Sequence, residues 1–524
     1  MFAARTLGEL LEQAAQAEPE ALAFRYGDEV LTYRDWWEWS ERLAGAYWAA
    51  GLRPGDVVAL LLPPAPFYLV AYLAAARLGL VTAGINTRYR RREIVAILQR
   101  SGAAMLVAVR RGQDGVDFAA MLEAEQANLG KLRHVVWVEP EELAHTRALA
   151  ARIATGGSAA PDVDVSSSAP VAIVFTSGTT GIPKGACYQH RNLLAVAEIE
   201  SRRYAQGVPV VRKHLAAGVS FAHLGTMVRI GVQIAHRALS IVHDRFDPQR
   251  VLATVAQERL PHLGAFPTQM IALLDHPMRR QYDLSSVQSV LLGGAPVAPE
   301  LILRVQKELG AVVSVRYSST EVGIATASLP SDPPERLCST VGKPTAGVEL
   351  RIVDENNTPL PPGSVGEVVV RSPATMVGYW NDPEATARTI DAEGWVHTGD
   401  LGFLDDQGYL HLRGRKSEMY IRGGFNVYPM EVESVLLQHP KVARAAVLGV
   451  PDARFGEIGW AFVVPHDPAD PPKLEELRDF VGRELASFKR PDGLTVLADM
   501  PLTAMFKPDK RALREIWEIT TQRA

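Results

Sequence analysis

The spacing of apolar residues changes repeatedly along this chain. "VVALLLPPAPFYLVAYLAAARLGLVTAGIN" (57–86) opens with a β-branched run, turns helical after Pro63-Pro64 and Pro66, carries Arg77, and stops at Gly79 before a second short run. That pattern predicts strand, helix, strand, the βαβ unit of a parallel sheet. Its uninterrupted apolar runs fall short of the roughly 20 residues a membrane span needs. The same alternation continues with "HVVWVEP" (134–140), the small-residue linker "TGGSAAPDVDVSSSAP" (155–170) and the buried strand "VAIVF" (171–175). It returns in "SVLLGGAPVAPELILRVQKELGAVVSVRYSSTEVG" (289–323) as a strand, a glycine turn, a helix closed by Gly310, and a strand with a polar end from Tyr317 to Gly323. Past Arg415 the pattern becomes a small β-rich unit, "KVARAAVLGVPDARFGEIGWAFVVP" (441–465), followed by the helix "KLEELRDFVGREL" (473–485). The fold class is α/β: a large N-terminal domain of parallel-rich sheets flanked by helices, expected over 1–416, and a small mobile α+β C-terminal domain, expected over 417–524.

The strand "VAIVF" stops at a loop, Thr176 to Gly185, rich in hydroxyls and glycines and carrying Lys184. Gly178, Gly181 and Gly185 allow close backbone approach, and Thr176, Ser177, Thr179, Thr180 and Lys184 are donors to an anion, which suits a polyphosphate. A surface loop of turn residues would have the same composition. The loop is not a Walker A motif: Ile182-Pro183 separate Gly181 from Lys184, and Gly185 stands where the magnesium-binding hydroxyl belongs. A metal would need a ligand elsewhere. In a parallel sheet ligands sit outside the carboxyl ends of the strands, so Thr176–Gly185 and Tyr317–Glu321 are expected to face one crevice.

Composition narrows the class. The chain has 524 residues, too many for one core, with 47% hydrophobic and 22% charged residues and a formal net charge of -4. Nothing is basic enough for nucleic acid. Its two cysteines, Cys187 and Cys338, are far apart and lack metal-ligand spacing, so they are expected to be ordinary thiols in a reducing compartment. The N-terminal segment carries Glu9, Glu12, Glu18 and Glu20 in a helical pattern, unlike a secretory signal, and a cytoplasmic location is expected.

"TSGTTGIPKG", "YSSTE", "GWVHTGDLG", "GRKSEMYIRGGFNVYPMEVE" and "PLTAMFK", in that order, resemble the core motifs of the adenylate-forming superfamily, on its acyl-CoA synthetase (AMP-dependent CoA ligase) branch. The resemblance extends over nearly the whole chain. It implies an AMP-forming acid–thiol ligase that uses ATP, Mg2+ and coenzyme A and passes through an acyl adenylate. It also implies that Thr176, Ser177, Gly178, Thr179, Thr180 and Lys184 grip phosphates, that Glu321 holds Mg2+, and that Thr320 contacts a phosphate. Tyr317 would stack on adenine, Asp400 would accept the ribose hydroxyls, and Arg415 would be a second ribose contact. Gly293, Gly294, Ala295 and Pro296 would line the adenine and acyl pocket. Taken alone, Asp400 reads as a turn residue, Tyr317 as a core aromatic and Lys507 as a solvated surface charge.

The family's C-terminal domain rotates between two half-reactions, which by resemblance assigns the catalytic lysine to Lys507, the CoA-side loop to Gly423-Gly424 and the hinge to Ser417. Two positions depart from the family: Phe506 replaces the glycine usual before the lysine, and Ser417 replaces the usual Asp or Lys. His223, Gly225 and Phe266 are candidates for the substrate pocket, His223 being equally readable as a structural histidine. Their segments, "AHLGTMVRIGVQ" and "HLGAFPTQM", read as apolar and suggest a hydrophobic or cyclic acid. Alternative readings are a stand-alone adenylation enzyme that loads a carrier-protein thiol in trans, and a non-catalytic nucleotide-binding homologue. The expected partner is a small carboxylic acid; a homodimer is allowed, and neither nucleic acid nor an integral membrane segment is expected.

Overall fold

The structure, a computed structural model, describes residues 3–155, 159–176, 183–503 and 507–522. The βαβ unit forms as its pattern dictates: strands Val57–Leu61 and Val81–Gly84 pair in parallel across the helix Pro66–Arg77. Every residue of that helix from Pro66 to Ala76 is buried, which explains why it is apolar on all sides. Pro66 sits in the first turn, where its missing N–H costs no hydrogen bond, and Arg77 pairs with Glu41 at 2.7 Å at the other end. Trp36 packs edge-on against Phe24 and donates its indole N–H to the Leu69 carbonyl at 3.2 Å, tying the neighbouring helix Tyr33–Ala49 to this core.

Those two strands lie within a seven-stranded sheet that runs from Gly378–Tyr379 through Lys184–Gln189, Pro170–Thr176, Val81–Gly84, Val57–Leu61 and Met105–Val109 to His134–Val138. The last five are parallel. Lys184–Gln189 and Gly378–Tyr379 pair antiparallel, so the donor-rich loop closes a hairpin and is not a strand-to-helix crossover. A second sheet carries parallel strands His262–Ala265, Ser289–Gly293 and Val312–Ser319 with antiparallel Gly323–Ala327 and Lys343–Pro344 at one side. A four-stranded antiparallel sheet, Glu349–Val353, Gly366–Arg371, Val396–Leu404 and Leu410–Arg415, and a four-stranded mixed sheet, Glu29–Thr32, Leu22–Tyr26, Leu239–His243 and Lys213–Ala217, complete the sheets described before Arg415.

From Tyr420 onward a separate sheet forms around the hairpin Val442–Asp452 and Gly456–Pro465, with apolar clusters of its own on both faces, one around Tyr420 and Val447 and one around Phe462 and Leu513. The chain is thus a large N-terminal domain and a small C-terminal one. No helix among the described residues is long and apolar enough to cross a membrane.

Several histidines are held neutral inside this fold. Burial lowers the pKa of His190 to about 4, and its Nδ1 accepts the Leu7 N–H at 3.2 Å. Burial likewise lowers His243 to about 4 and His214 to about 3. Each binds a proton near pH 6.5 when unfolded but resists it when folded, so the unfolded state takes up protons first and stability falls as pH drops below about 6.5. The melting temperature should fall by a few degrees between pH 7 and pH 5 at constant ionic strength; a flat profile over that interval would contradict the burial of these rings as neutral groups.

Candidate active site

The carboxyl ends of the three parallel strands of the second sheet meet at one crevice. Phe266 follows His262–Ala265, Gly294 follows Ser289–Gly293, and Tyr317 lies near the end of Val312–Ser319. Register places Gly293 beside Arg316, whose carbonyl oxygen a Cβ at 293 would approach to 3.1 Å. Gly294 has φ +78°, and a Cβ there would stand 2.5 Å from the Phe266 ring, so only glycine lets the turn and the aromatic coexist. Ala295 and Pro296 continue this turn toward the helix Pro299–Leu309, Ala295 half-buried and Pro296 exposed.

Asp400 is no turn residue; it lies in the strand Val396–Leu404, in direct register with Arg415 on the antiparallel neighbour. That register produces their ion pair at 3.0 Å. The second carboxylate oxygen accepts the Tyr317 hydroxyl at 2.6 Å, so residues from three separate sequence motifs form one connected unit. Burial raises the Asp400 pKa above the usual carboxylate value, opposed chiefly by the Arg415 charge and the Tyr317 hydroxyl.

Glu321 faces the same crevice. Its carboxylate accepts from Ser319 at 3.1 Å and from the Tyr379 hydroxyl at 3.0 Å, both neutral donors, and it makes no ion pair among the described residues. Lys184 holds its ammonium 5.2 Å from the centre of the Tyr379 ring, at the mouth of the hairpin where it pairs with Thr176. The Tyr188 hydroxyl donates to the Thr320 carbonyl at 2.6 Å, joining the first sheet to the polar end of the second. The two polar strand ends therefore do share a crevice. Of the loop residues, Ser177, Gly178, Thr179 and Thr180 lie outside the described residues. Gly185 is glycine for packing, since a Cβ would come within 2.5 Å of Ile173.

Lys507, from the C-terminal domain, lies near enough to this crevice for its charge to act on Asp400 and Glu321. Its backbone is tied to Thr503, whose N–H donates to the Lys507 carbonyl at 2.7 Å. The residue as a whole is exposed, yet surrounding protein and the Arg415 charge lower its pKa below that of an ordinary lysine, while Asp400, Glu418 and Glu321 act in the opposite direction. Its charge is also felt by His223, whose pKa falls to about 4, first from burial and then from Lys507. His223 caps the helix Leu224–Ala235, its Nδ1 accepting the Gly225 N–H at 3.1 Å. Phe506 lies outside the described residues.

Ser417 sits in the turn just after Arg415, where Glu418 N–H donates to the Arg415 carbonyl at 3.0 Å. Gly423 and Gly424, with φ of +56° and +87°, form the two-residue turn of the hairpin Tyr420–Arg422 and Phe425–Val427, a type that favours glycine at both positions. That turn is anchored within its own domain, Gly423 N–H donating to the Phe455 carbonyl at 2.8 Å.

One profile, described as AMP-binding enzyme, matches residues 11–380, and another, AMP-binding enzyme C-terminal domain, matches 431–507. The chain belongs to the AMP-binding enzyme family. This adenylate-forming enzyme is 37% identical over 522 residues to a 3-[(3aS,4S,7aS)-7a-methyl-1,5-dioxo-octahydro-1H-inden-4-yl]propanoyl:CoA ligase of Mycobacterium tuberculosis, covering 98% of this chain and 99% of the relative. It is 34% identical to a feruloyl-CoA synthase of an Amycolatopsis species, covering 97% and 98% respectively. Its structure resembles that of ATP-bound MatB from Rhodopseudomonas palustris with a TM-score of 0.86 at 28% identity, covering 97% of this chain and 99% of that one. The enzyme is an AMP-forming acid–thiol ligase by family.

Two residues of the enzyme's crevice and its surroundings escaped the sequence reading. Tyr379 lies on a two-residue strand with no periodic signature, and only its place beside Lys184 and Glu321 marks it. Arg229 lies in the segment read as apolar, among buried Met227, Val228 and Ile230. The available signal was a cation within an otherwise apolar helix, since buried charges are rare without a partner.

Proposed function

We propose that the enzyme joins a cyclic or otherwise hydrophobic carboxylic acid to coenzyme A through an acyl adenylate. The observation that carries this reading is the bonded unit of Tyr317, Asp400 and Arg415 beside Glu321, Tyr379 and Lys184, residues of separate motifs, with Lys507 of the C-terminal domain near enough for its charge to act on Asp400 and Glu321. In the first step a carboxylate oxygen of the acid attacks the α-phosphorus of ATP and the bond to pyrophosphate breaks. Lys507 and Lys184 supply positive charge along the path on which negative charge develops, Lys507 toward the attacking carboxylate and α-phosphate and Lys184 toward the leaving phosphates. Asp400 and Arg415, locked by their register, bind the ribose, and Tyr317 is oriented against adenine by its bond to Asp400.

Among the described residues no group of three or more His, Cys, Asp or Glu could hold a metal by side chains alone. Glu321 nevertheless suits Mg2+: a carboxylate with only neutral donors fits an ion that is usually held by one or two carboxylates, phosphates and water. When bound there, Mg2+ would neutralise phosphate charge. Thr320 would supply a neighbouring phosphate contact.

In the second step the thiol sulfur of coenzyme A attacks the acyl carbon, AMP leaves, and the thiol proton passes to solvent. The departing AMP takes the bonding pair onto its phosphate oxygen, a charge that the N-terminal domain's own cation, Lys184, and solvent can meet once Lys507 has moved away. The C-terminal unit from Ser417 onward turns to present Gly423-Gly424 instead. The relatives' names include two acids built on rings, which supports a cyclic substrate. Mass analysis of CoA products from a panel of linear, aryl and alicyclic acids with ATP and Mg2+ should show thioesters concentrated among ring-bearing acids. Pyrophosphate exchange without any CoA product would contradict coenzyme A as the acceptor.

A further inference from the structure

A cavity of about 100 Å³ lies below the crevice, along the same elements that build it. Arg229, His214, His262, Ser289, Glu200 and Arg316 contribute to its lining. Gly264, Leu291 and Arg316 face it from strands whose carboxyl ends carry Phe266, Gly294 and Tyr317. Arg229 lies six residues beyond His223 on the helix Leu224–Ala235, about 9 Å along its axis. The cavity is thus where the far end of an acid would lie with its carboxyl group near His223 and Lys507. A space of this size is of the order that accepts a small ring.

Its charges are unequally satisfied. The Glu200 carboxylate is already taken, accepting from Arg316 at 2.8 Å and from Arg203 at 3.2 Å. His262 Nδ1 is paired with the Ser289 hydroxyl at 2.7 Å. Arg229 makes neither a hydrogen bond nor an ion pair among the described residues, although its guanidinium comes within 3.3 Å of where a Cβ on Gly264 would stand. Burial and the neighbouring Arg316 charge lower its pKa, as expected of a cation enclosed without a partner. His214 is neutral beside it, its pKa lowered first by burial and then by Arg229. Two guanidinium groups therefore hold the one carboxylate, and a third, Arg229, borders the cavity without such a bond.

We propose that Arg229 is a specificity-determining residue that hydrogen-bonds an oxygen acceptor, a ring carbonyl or a second carboxylate, at the end of the acid remote from the reacting carboxyl group. This rests on the ligase reading above and makes the substrate a polar-tipped cyclic acid, where the segment "AHLGTMVRIGVQ" was read as an apolar wall. Arg229 is half-buried, and a site built to bond such an oxygen discriminates against the analogue lacking it, because a guanidinium shielded from much of the solvent is then left unpaired.

The test uses matched acids with one, two or three methylenes between carboxyl group and cyclohexane ring, each as the unsubstituted, 4-oxo and 4-carboxy compound. Binding is measured calorimetrically with ATP-analogue-loaded protein, and thioester formation by kcat/KM. The expected result is a preference of at least about tenfold for an oxo or carboxy member in one chain-length set, falling toward unity in Arg229→Met and partly kept in Arg229→Lys. The oxo and carboxy arms distinguish a neutral from an anionic acceptor. No preference in any set by the native protein, no binding of any member, or a preference unchanged in a folded Arg229→Met protein overturns the proposal. Preferential binding without thioester formation upholds Arg229's role while contradicting the ligase reading.

Discussion

Replacing Lys507 with alanine should abolish acyl-adenylate formation while leaving thioester formation from supplied acyl adenylate and CoA nearly intact. A fixed ammonium near the α-phosphate stabilises charge that develops as the carboxylate attacks, provided the C-terminal domain holds it there in that step alone, and removal of one such contact typically costs about a hundredfold to a thousandfold in rate. The effect should be confined to one step because Lys507 belongs to the C-terminal domain while Asp400, Arg415 and Glu321 belong to the N-terminal one. Gly424→Leu should do the reverse. Nothing lies within 4 Å of a Cβ at 424, but φ of +87° there disfavours any side chain, and leucine would distort the turn or obstruct the pantetheine arm. Equal loss of both half-reactions in Lys507→Ala would contradict the assignment, and Lys510 would be tested next. That residue is already engaged, pairing with Glu418 at 2.8 Å and Glu433 at 3.4 Å, which favours a structural role.

The second large effect is expected at Glu321. Ser319 and Tyr379 donate to different oxygens of Glu321; Glu321→Gln keeps one acceptor and puts an N–H2 group opposite the other hydroxyl, which can turn to accept, so the fold and melting temperature should survive while the negative charge proposed to hold Mg2+ is removed. ATP–pyrophosphate exchange should fall, and the Mg2+ concentration for half-maximal exchange should rise by at least about tenfold. Exchange with a native magnesium dependence would move the metal site elsewhere.

Periodicity made the architecture legible where one period ran long enough. The βαβ unit at 57–84, the strand Pro170–Thr176, and the C-terminal hairpin and helix all form where apolar spacing placed them. Strand direction was less legible, because "VAIVF" has the same composition whether its neighbour runs parallel or antiparallel. Hence the hairpin at Lys184 emerged only from the structure. Asp400 could be read as a turn residue because it stands beside glycines, whereas register against Arg415 is a long-range property that no local window contains.

The site was legible in proportion to motif density. Tyr317, Glu321, Asp400, Arg415 and Lys507 stand in dense motifs, and of these Tyr317, Asp400 and Arg415 are bonded into one unit. Tyr379 and Arg229 stand alone in their segments, and their positions follow from how sheets and helix pack. His223 combines a helix cap with a place near Lys507, so a structural and a site position coincide in one residue.

The central claim is that the acid is activated by forming a bond between its carboxylate oxygen and the α-phosphorus of ATP. It is tested most directly by supplying an acid labelled with 18O in both carboxyl oxygens, together with ATP, Mg2+ and CoA, and measuring the products by mass. The account predicts one 18O atom in AMP, one in the thioester carbonyl and none in pyrophosphate. Label in inorganic phosphate with formation of ADP, or thioester formation with unlabelled AMP, would contradict it.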